Sequence, residues 1–114
     1  MTEDVDKANL IATMQSHRIC IVVPTYNNAG TLSRVVSEIL NYSSDVIVVN
    51  DGSTDSTKDI LNAFSSSIHL VSYDKNRGKG TALKLGFKKA IELGYDYAIT
   101  IDSDGQHYPS DIPL

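Results

Sequence analysis

The strongest constraint on the fold is a regular alternation between short apolar runs and segments with helical spacing. The apolar runs occupy residues 19–23, 46–49, 68–73 and 95–101. The first run is apolar throughout, which predicts a strand covered on both faces, and the other three predict strands as well. Because predicted strands and helices alternate, the sequence predicts a parallel sheet with helices on both faces, a three-layer Rossmann-like α/β fold.

The segments between the runs predict three helices. After the first run, which Pro24 is expected to end, apolar residues recur at the spacing of an amphipathic helix: Leu32, Val35, Val36, Ile39 and Leu40. Ser56 and Asp59 resemble a capping box at the start of the second helix. The third helix is predicted to end at Gly94 and to turn four apolar side chains inward: Leu83, Phe87, Ala90 and Ile91.

The chain divides into a polar leader and one domain. Residues 1–17 form the leader, where apolar residues at helical spacing suggest a short helix, and residues 18–114 form the domain. The sequence ends soon after the fourth predicted strand, before any segment that could cover it, which predicts the N-terminal portion of a longer domain.

Composition narrows the class of partner and the cellular location. The 114 residues carry a net charge of −4, whereas nucleic-acid-binding domains need a basic face, so no nucleic-acid partner is expected. The single cysteine excludes an intrachain disulfide and fits a reducing compartment. The N-terminus is acidic, and no apolar run approaches the roughly 20 residues of a membrane span. We therefore expect a cytoplasmic protein; attachment to a membrane surface, or a span elsewhere in a longer protein, stays open.

Polar residues follow all four predicted strands, in the segments 24–28, 50–55, 74–80 and 102–107. The carboxyl ends of parallel strands share one edge of the sheet, and ligands of open α/β sheets bind beyond that edge. The sequence therefore predicts a ligand site at which these four segments converge.

The last of these segments carries oxygen ligands at alternate positions: Asp102, Asp104 and Gln106. Alternate side chains of an extended segment point the same way and can converge on one point. Hard divalent cations such as Mg²⁺ or Mn²⁺ prefer such ligands and share them with substrate phosphates. A solvated Asp-Gly turn is the alternative, but the position at the sheet edge favours a metal.

The other segments suggest contacts with a nucleotide. Asp51 can accept hydrogen bonds from a ribose or a base, although a turn that caps the next helix explains the same segment. Pro24 and Tyr26 offer an apolar wall and an aromatic face for a planar base. Arg77 and Lys79 lie near the same edge, where contact with an anionic ligand and plain solvation both stay open.

Together these segments resemble glycosyltransferase family 2, and most closely its branch that makes dolichyl- or polyprenyl-phosphate sugars. The similarity spans about residues 18–113, with four motifs in the expected order: 22–27, 48–55, 76–80 and 102–107. The resemblance implies the GT-A fold. The strand order of that fold implies that the missing strands lie beside the fourth strand, so that strand is expected at a sheet edge here, where residues 97–101 offer a pairing surface for a homo-oligomer. The resemblance also implies that Asp102 and Asp104 form a DxD motif and, with Gln106, hold the metal that bridges the donor diphosphate.

The resemblance implies a nucleotide-binding set as well: Pro24, Tyr26, Asn28, Asp51, Asp102 and Ser103. Two positions depart from the pattern, because Asn28 stands where related enzymes often carry Glu and Asn50 where Asp is common. The base of the donor is therefore left open. The catalytic base is expected beyond Leu114, in a segment that follows the DxD motif in the family.

The predicted function is that of an inverting glycosyltransferase, which moves a sugar from a nucleotide diphosphate to an acceptor such as polyprenyl phosphate or a growing polysaccharide. This chain would be its donor-binding and metal-binding half and would not transfer the sugar by itself. Two alternatives remain. A nucleotidyltransferase shares such a site, but usually has a basic, glycine-rich loop after its first strand. A non-catalytic nucleotide-binding module is the other.

Overall fold

The structure is a computed structural model that describes residues 2–103, with side chains from residue 9 onward. Helices and strands alternate along this part of the chain. Their bounds are α1 Thr2–Ser16, β1 Ile19–Thr25, α2 Ala29–Ile39, β2 Val46–Asp51, α3 Thr57–Ala63, β3 His69–Tyr73, α4 Lys79–Glu92 and β4 Tyr97–Thr100.

The four strands form one parallel sheet in the order β3-β2-β1-β4. Ile21 of β1 pairs with Val46 of β2 on one side and with Ile99 of β4 on the other. The order reverses at β1, because the chain first adds β2 and β3 on one side and then crosses back to place β4 on the other. Such a reversal leaves a crevice beyond the carboxyl ends of the central strands, which is where open α/β sheets bind ligands.

The sheet carries a core on each face, as the sequence predicts. One core is formed mainly by β1, β2 and the helices α1, α2 and α3, with buried side chains that include Met14, Val36 and Leu61. The other core lies between the sheet and α4. The two cores confirm the three-layer α/β architecture. The leader helix α1 packs against the sheet, because Met14 is buried in the first core and Leu10 packs against that core.

Helix α4 turns only some of the predicted side chains inward. Its buried residues are Ala82, Gly86 and Ala90, whereas Phe87 is exposed and Ile91 is 75% exposed. The prediction was right for Ala90 and wrong for these two large residues, while Leu83 is half-buried and packs against the core on this face. A Cβ on Gly86 would lie 2.5 Å from Val22 Cγ1, so the helix approaches the sheet too closely for larger side chains. Hydrophobic periodicity therefore predicted the helix correctly, but not which face of the helix packs on the sheet.

Several element ends also differ from the sequence-based expectations. Strand β1 continues through Pro24 to Thr25, and Pro24 pairs in register with Val49. Ser56 makes no side-chain cap of α3; instead Asp55 Oδ1 accepts a hydrogen bond from the Thr57 amide at 2.9 Å. The capping box is therefore wrong, because the carboxylate directly before Ser56 reaches the helix first.

Three further features bear on the predictions: the end of α4, the single cysteine and the character of the helices. Gly94 has φ +86° and follows the end of α4, which confirms its role in ending that helix. Burial, and to a smaller extent the charge of Asp45, raises the pKa of Cys20 to about 11. This thiol therefore stays neutral and packs as a small apolar side chain. Within residues 2–103, no helix combines the length and apolar character that crossing a bilayer requires.

Candidate functional site

A cavity of about 250 Å³ lies beyond the carboxyl ends of β1, β2 and β4. All six residues predicted to bind a nucleotide line it: Pro24, Tyr26, Asn28, Asp51, Asp102 and Ser103. Five more residues complete the lining: Thr25, Asn76, Gly78, Lys79 and Ala82. The structure therefore brings the predicted side chains together in one place, at the reversal in strand order.

Asp51 is a buried carboxylate at the end of β2, and it holds the loop that enters α4. Its Oδ1 accepts a hydrogen bond from the Arg77 amide at 2.8 Å. Its Oδ2 accepts from Asn76 Nδ2 at 2.9 Å and from the Gly78 amide at 3.0 Å. Asp51 thus has a structural role, but not the turn that caps α3 that the sequence left open. It also lines the cavity, where a carboxylate retains lone pairs for a further donor.

The approach of this loop to the end of β2 depends on Gly52. The residue has φ +68°, in the left-handed region, and a Cβ there would overlap the backbone nitrogen of Asn76. Any other residue would force the two segments apart and break the contacts of Asp51. Next to it, Asn50 is buried; its Oδ1 accepts from the Ser53 amide at 3.2 Å, which closes the turn. Asn50 therefore shapes the loop and does not line the cavity.

The loop before α4 begins at Tyr73, whose ring packs against the guanidinium group of Arg77. The Arg77 guanidinium lies 5.3 Å from the centroid of the Tyr73 ring. Burial, then the neighbouring Asp51 carboxylate, raises the pKa of the Tyr73 phenol, which stays neutral. The pair fixes Arg77 at the edge of the loop whose amides Asp51 binds.

The loops after β1 and β2 are tied to each other by side chains. Asn27, at φ +51°, accepts the Thr54 amide on its Oδ1 at 2.8 Å, and its own amide donates to Ser53 Oγ at 3.0 Å. Asp55 Oδ2 accepts the Ala29 amide at 3.2 Å. Hydrogen bonds from the Thr57 side chain and from the amides of Thr57 and Ala29 lower the pKa of Asp55. The carboxylate that links the two loops therefore stays charged. These bonds hold the segment that carries Tyr26 and Asn28 at the cavity.

Ser103 and Asn28 hold the segment after β4 against β1. Asn28 Nδ2 donates to Ser103 Oγ at 2.7 Å, and that hydroxyl donates to the Pro24 carbonyl at 3.1 Å. Thr31 Oγ1 donates to the Ser103 carbonyl at 2.6 Å. Ser103 is almost fully buried and its hydroxyl both donates and accepts within the protein. Its side chain thus positions Asp102, and contact of Asn28 and Ser103 with a nucleotide stays a prediction.

Asp102 is the only predicted metal ligand within the described residues, since Asp104 and Gln106 lie outside them. Its Oδ1 lies 2.7 Å from Lys79 Nζ, and both side chains line the cavity. Residues 9–103 contain no group of three His, Cys, Asp or Glu side chains that could hold a metal. The described part nevertheless fits a cation, because a positive group already contacts a hard carboxylate oxygen directed at the cavity.

Sequence reasoning missed part of this lining. Asn76 and Gly78 stand in a motif that the sequence singled out, but their contacts with Asp51 depend on a loop closing across the sheet edge. Thr25 gave no signal; its hydroxyl is buried and has no hydrogen-bond partner in residues 9–103. A buried hydroxyl without a partner is costly, so this atom is a group that a ligand or a water molecule could satisfy.

The fold and this cavity define the class of the protein, a Rossmann-like α/β domain with a candidate ligand site at the reversal in strand order, and comparison with known proteins gives its family. The family model described as "Glycosyl transferase family 2" matches residues 20–114. The chain therefore belongs to glycosyltransferase family 2. This confirms the resemblance identified from the four motifs.

Curated relatives include enzymes that act on polyprenyl phosphates. UDP-N-acetylglucosamine–dolichyl-phosphate N-acetylglucosaminyltransferase of Methanococcus voltae is 35% identical, over 87% of this chain and 46% of that protein. Undecaprenyl-phosphate mannosyltransferase of Micrococcus luteus is 34% identical, over 84% of this chain and 42% of that protein. The chain spans less than half the length of these relatives.

A solved structure with a bound metal and nucleotide shares the fold. It is the glucosyl-3-phosphoglycerate synthase of Mycobacterium tuberculosis in complex with Mn²⁺, UDP and glucosyl-3-phosphoglycerate. The TM-score is 0.71 with 27% identity, over 94% of this chain and 41% of that one. TarS of S. aureus in complex with UDP superposes with a TM-score of 0.65 at 23% identity, over 76% of this chain and 27% of that one.

Proposed function

We propose that this chain binds the nucleotide-sugar donor of a glycosyltransferase, together with Mg²⁺ or Mn²⁺. The observation that carries the proposal is the convergence of all six predicted nucleotide-binding residues on one cavity. The related synthase from M. tuberculosis, solved with Mn²⁺ and UDP, supports both the nucleotide and the metal. A uridine nucleotide is accordingly the first candidate for the donor.

The nucleoside would occupy the part of the cavity between β1 and β2. Tyr26 is exposed there and offers its ring to a planar base, with Pro24 as an apolar neighbour. Asp51 would accept a hydrogen bond from the base or the ribose with the lone pairs that its three loop contacts leave. The loops are already linked to each other in this arrangement, so little ordering is required when the nucleoside binds.

The diphosphate would lie at the other end, near Asp102. Asp102 and, by the predicted motif, Asp104 and Gln106 would hold the metal. When bound, the metal supplies electrostatic stabilisation of the negative charge on the leaving diphosphate. Asp102 would be positioned by the buried hydrogen bonds of Ser103, so its carboxylate faces the cavity without rearrangement of the segment.

The whole enzyme would transfer the sugar, with inversion, to a lipid phosphate or a glycan. Relatives that use dolichyl and undecaprenyl phosphate favour a polyprenyl phosphate acceptor. Poly-beta-1,6-N-acetyl-D-glucosamine synthase of Staphylococcus epidermidis, 32% identical over 79% of this chain and 22% of that protein, is the reason to keep a growing polysaccharide as the second candidate. A polyprenyl acceptor would place the enzyme at the cytoplasmic surface of a membrane.

We further propose that the 114-residue chain forms a homo-oligomer through β4. This strand lies at an edge of the described sheet, and all four of its residues are exposed. Tyr97 is 66% exposed and Ile99 is partly exposed on the same strand. An apolar strand edge is a template for pairing with another chain.

Calorimetric titration with UDP and GDP, with and without Mn²⁺, tests the proposal on the nucleotide and the metal. We expect UDP to bind in the presence of Mn²⁺ and the Asp104→Ala variant to lose the dependence on Mn²⁺ while it keeps its fold. Asp96→Ala is the matched control, because it removes an exposed carboxylate just before β4, at the opposite end of the sheet.

Three results would contradict parts of the proposal. Equal strengthening by Mn²⁺ in Asp104→Ala and in the parent would remove the metal assignment. Failure of the parent to bind UDP or GDP with Mn²⁺ would remove the nucleotide assignment. Incorporation of a nucleotidyl group from a nucleoside triphosphate into a sugar phosphate would favour a nucleotidyltransferase.

A further inference from the structure

We propose that Lys79 is a positioning residue that exchanges partners when the site fills: it pairs with Asp102 before the metal binds and with the donor diphosphate afterwards. This inference rests on the proposed function, since it assigns a role to a residue of the same cavity. Metal and diphosphate then bind cooperatively. The metal frees Lys79 from Asp102 for contact with the diphosphate, and the diphosphate holds Lys79 away from Asp102.

Lys79 lies at the wall of the cavity, in contact with the carboxylate that we propose as a metal ligand. It is the first residue of α4, and its Nζ lies 2.7 Å from Asp102 Oδ1. The residues directly before it are fixed, because Asp51 accepts hydrogen bonds from the amides of Arg77 and Gly78. The backbone of Lys79 is thereby held at the wall of the cavity, while its side chain is 61% exposed and can change rotamer.

Charge explains why the pair cannot persist in the filled site. A divalent cation bound to Asp102 would lie within a few ångströms of the ammonium group, where two positive charges repel each other strongly. The metal must therefore displace Lys79. An exposed ion pair is worth only about 0.2–1 kcal/mol, so the displacement weakens metal binding by up to about fivefold and does not prevent it.

The displaced ammonium lies beside the anion that the metal recruits. The cavity also borders the N-terminus of α4, whose first turn contains no acidic residue and whose dipole favours negative charge. A contact between Lys79 and a diphosphate oxygen would be charge-assisted and stronger than the exposed pair that it replaces. Because linkage is reciprocal, the diphosphate then strengthens metal binding by the same factor by which metal strengthens diphosphate binding.

A surface ion pair without a role is the competing explanation, and Lys79→Met separates the two. Loss of Lys79 should tighten the binding of Mn²⁺ alone by about two- to fivefold, measured from the electron paramagnetic resonance signal of unbound Mn²⁺. The same variant should bind UDP in saturating Mn²⁺ about tenfold more weakly, measured by calorimetry. These two effects have opposite signs, which a general loss of fold does not produce, and the effect of losing a positive charge from α4 as such is measured by a second variant.

Lys84→Met is the matched control, because it removes the same charge from an exposed position of the same helix. It should leave both affinities within about twofold of the parent. Lys79→Arg keeps the charge and should restore most of the UDP affinity, because the guanidinium can also bind a diphosphate.

The outcomes distinguish this inference from the proposed function. If the parent binds UDP with Mn²⁺ but Lys79→Met changes both affinities in the same direction, or neither, the exchange of partners is overturned and the donor site stands. A parent that binds neither Mn²⁺ nor UDP would overturn the donor site and the role of Lys79 with it.

Discussion

At the scale of single residues, Asp51 combines two tasks that are usually separate. Its carboxylate is buried and accepts three hydrogen bonds from residues 76–78, which fixes the loop before α4. The same carboxylate lines the proposed nucleoside site. A residue of this kind links the stability of the loop to the affinity of the site.

Asp51→Ala is therefore expected to affect two measurements at once. The free energy of unfolding should fall by about 1.5–3 kcal/mol, the value of hydrogen bonds to a charged group, as measured by urea titration. The affinity for uridine should fall about tenfold or more, since the proposed contact is to the base or the ribose. Asp74→Ala, which removes an exposed carboxylate just after β3, should change neither quantity appreciably. Lower stability with unchanged uridine affinity would make Asp51 a purely structural residue.

At the scale of elements, the close packing of α4 on the sheet determines where the site lies. The buried stripe of α4 consists of Ala82, Gly86 and Ala90, and Ala82 also lines the cavity. Because these side chains are small, the axis of the helix lies close to β1 and β2. The first residue of the helix, Lys79, is thereby brought to the carboxyl ends of the strands.

Two glycine substitutions in α4 test this packing. Gly86→Ala should lower the free energy of unfolding by about 1–2 kcal/mol, because overpacking against Val22 and Val49 outweighs the gain in helix propensity. Gly80→Ala should raise it by up to about 1 kcal/mol, since a Cβ there meets no atom within 4 Å. Chemical denaturation of both variants gives the comparison. A stabilised Gly86→Ala protein would mean that α4 lies further from the sheet.

At the scale of the whole molecule, the homo-oligomer that we propose depends on the edge strand β4. The strand pairs with β1 on one side, and its residues are exposed. Charged residues on an edge strand oppose pairing between copies. The state of association should therefore respond to a charge on β4 more than to one elsewhere.

Tyr97→Lys should shift the proposed homo-oligomer to monomer, as measured by sedimentation velocity over a range of concentrations. Ile91→Lys is the control, because it places the same charge on a more exposed apolar residue of α4. Equal dissociation in both variants would place the interface elsewhere, and a monomeric parent at all concentrations would rule out the oligomer.

The order of the elements and the position of the site followed from the sequence alone. Alternating apolar runs and helical spacing depend on local chain geometry, so the strands at residues 46 and 69 and the helix that ends before Gly94 could be recognised without tertiary information. The rule that parallel strands end at one edge then placed Asp51 and Asp102 together. Both were found lining one cavity.

Only the tertiary structure decided which side chain does what at that edge. The rotation of α4, the burial of Ser103 between Asn28 and Pro24, and the pairing of Lys79 with Asp102 are contacts between residues far apart in the chain. Periodicity reports the conformation of a segment, whereas these contacts depend on how closely two elements approach. That distance is determined by the summed volumes of side chains from both elements, and no single segment contains this information.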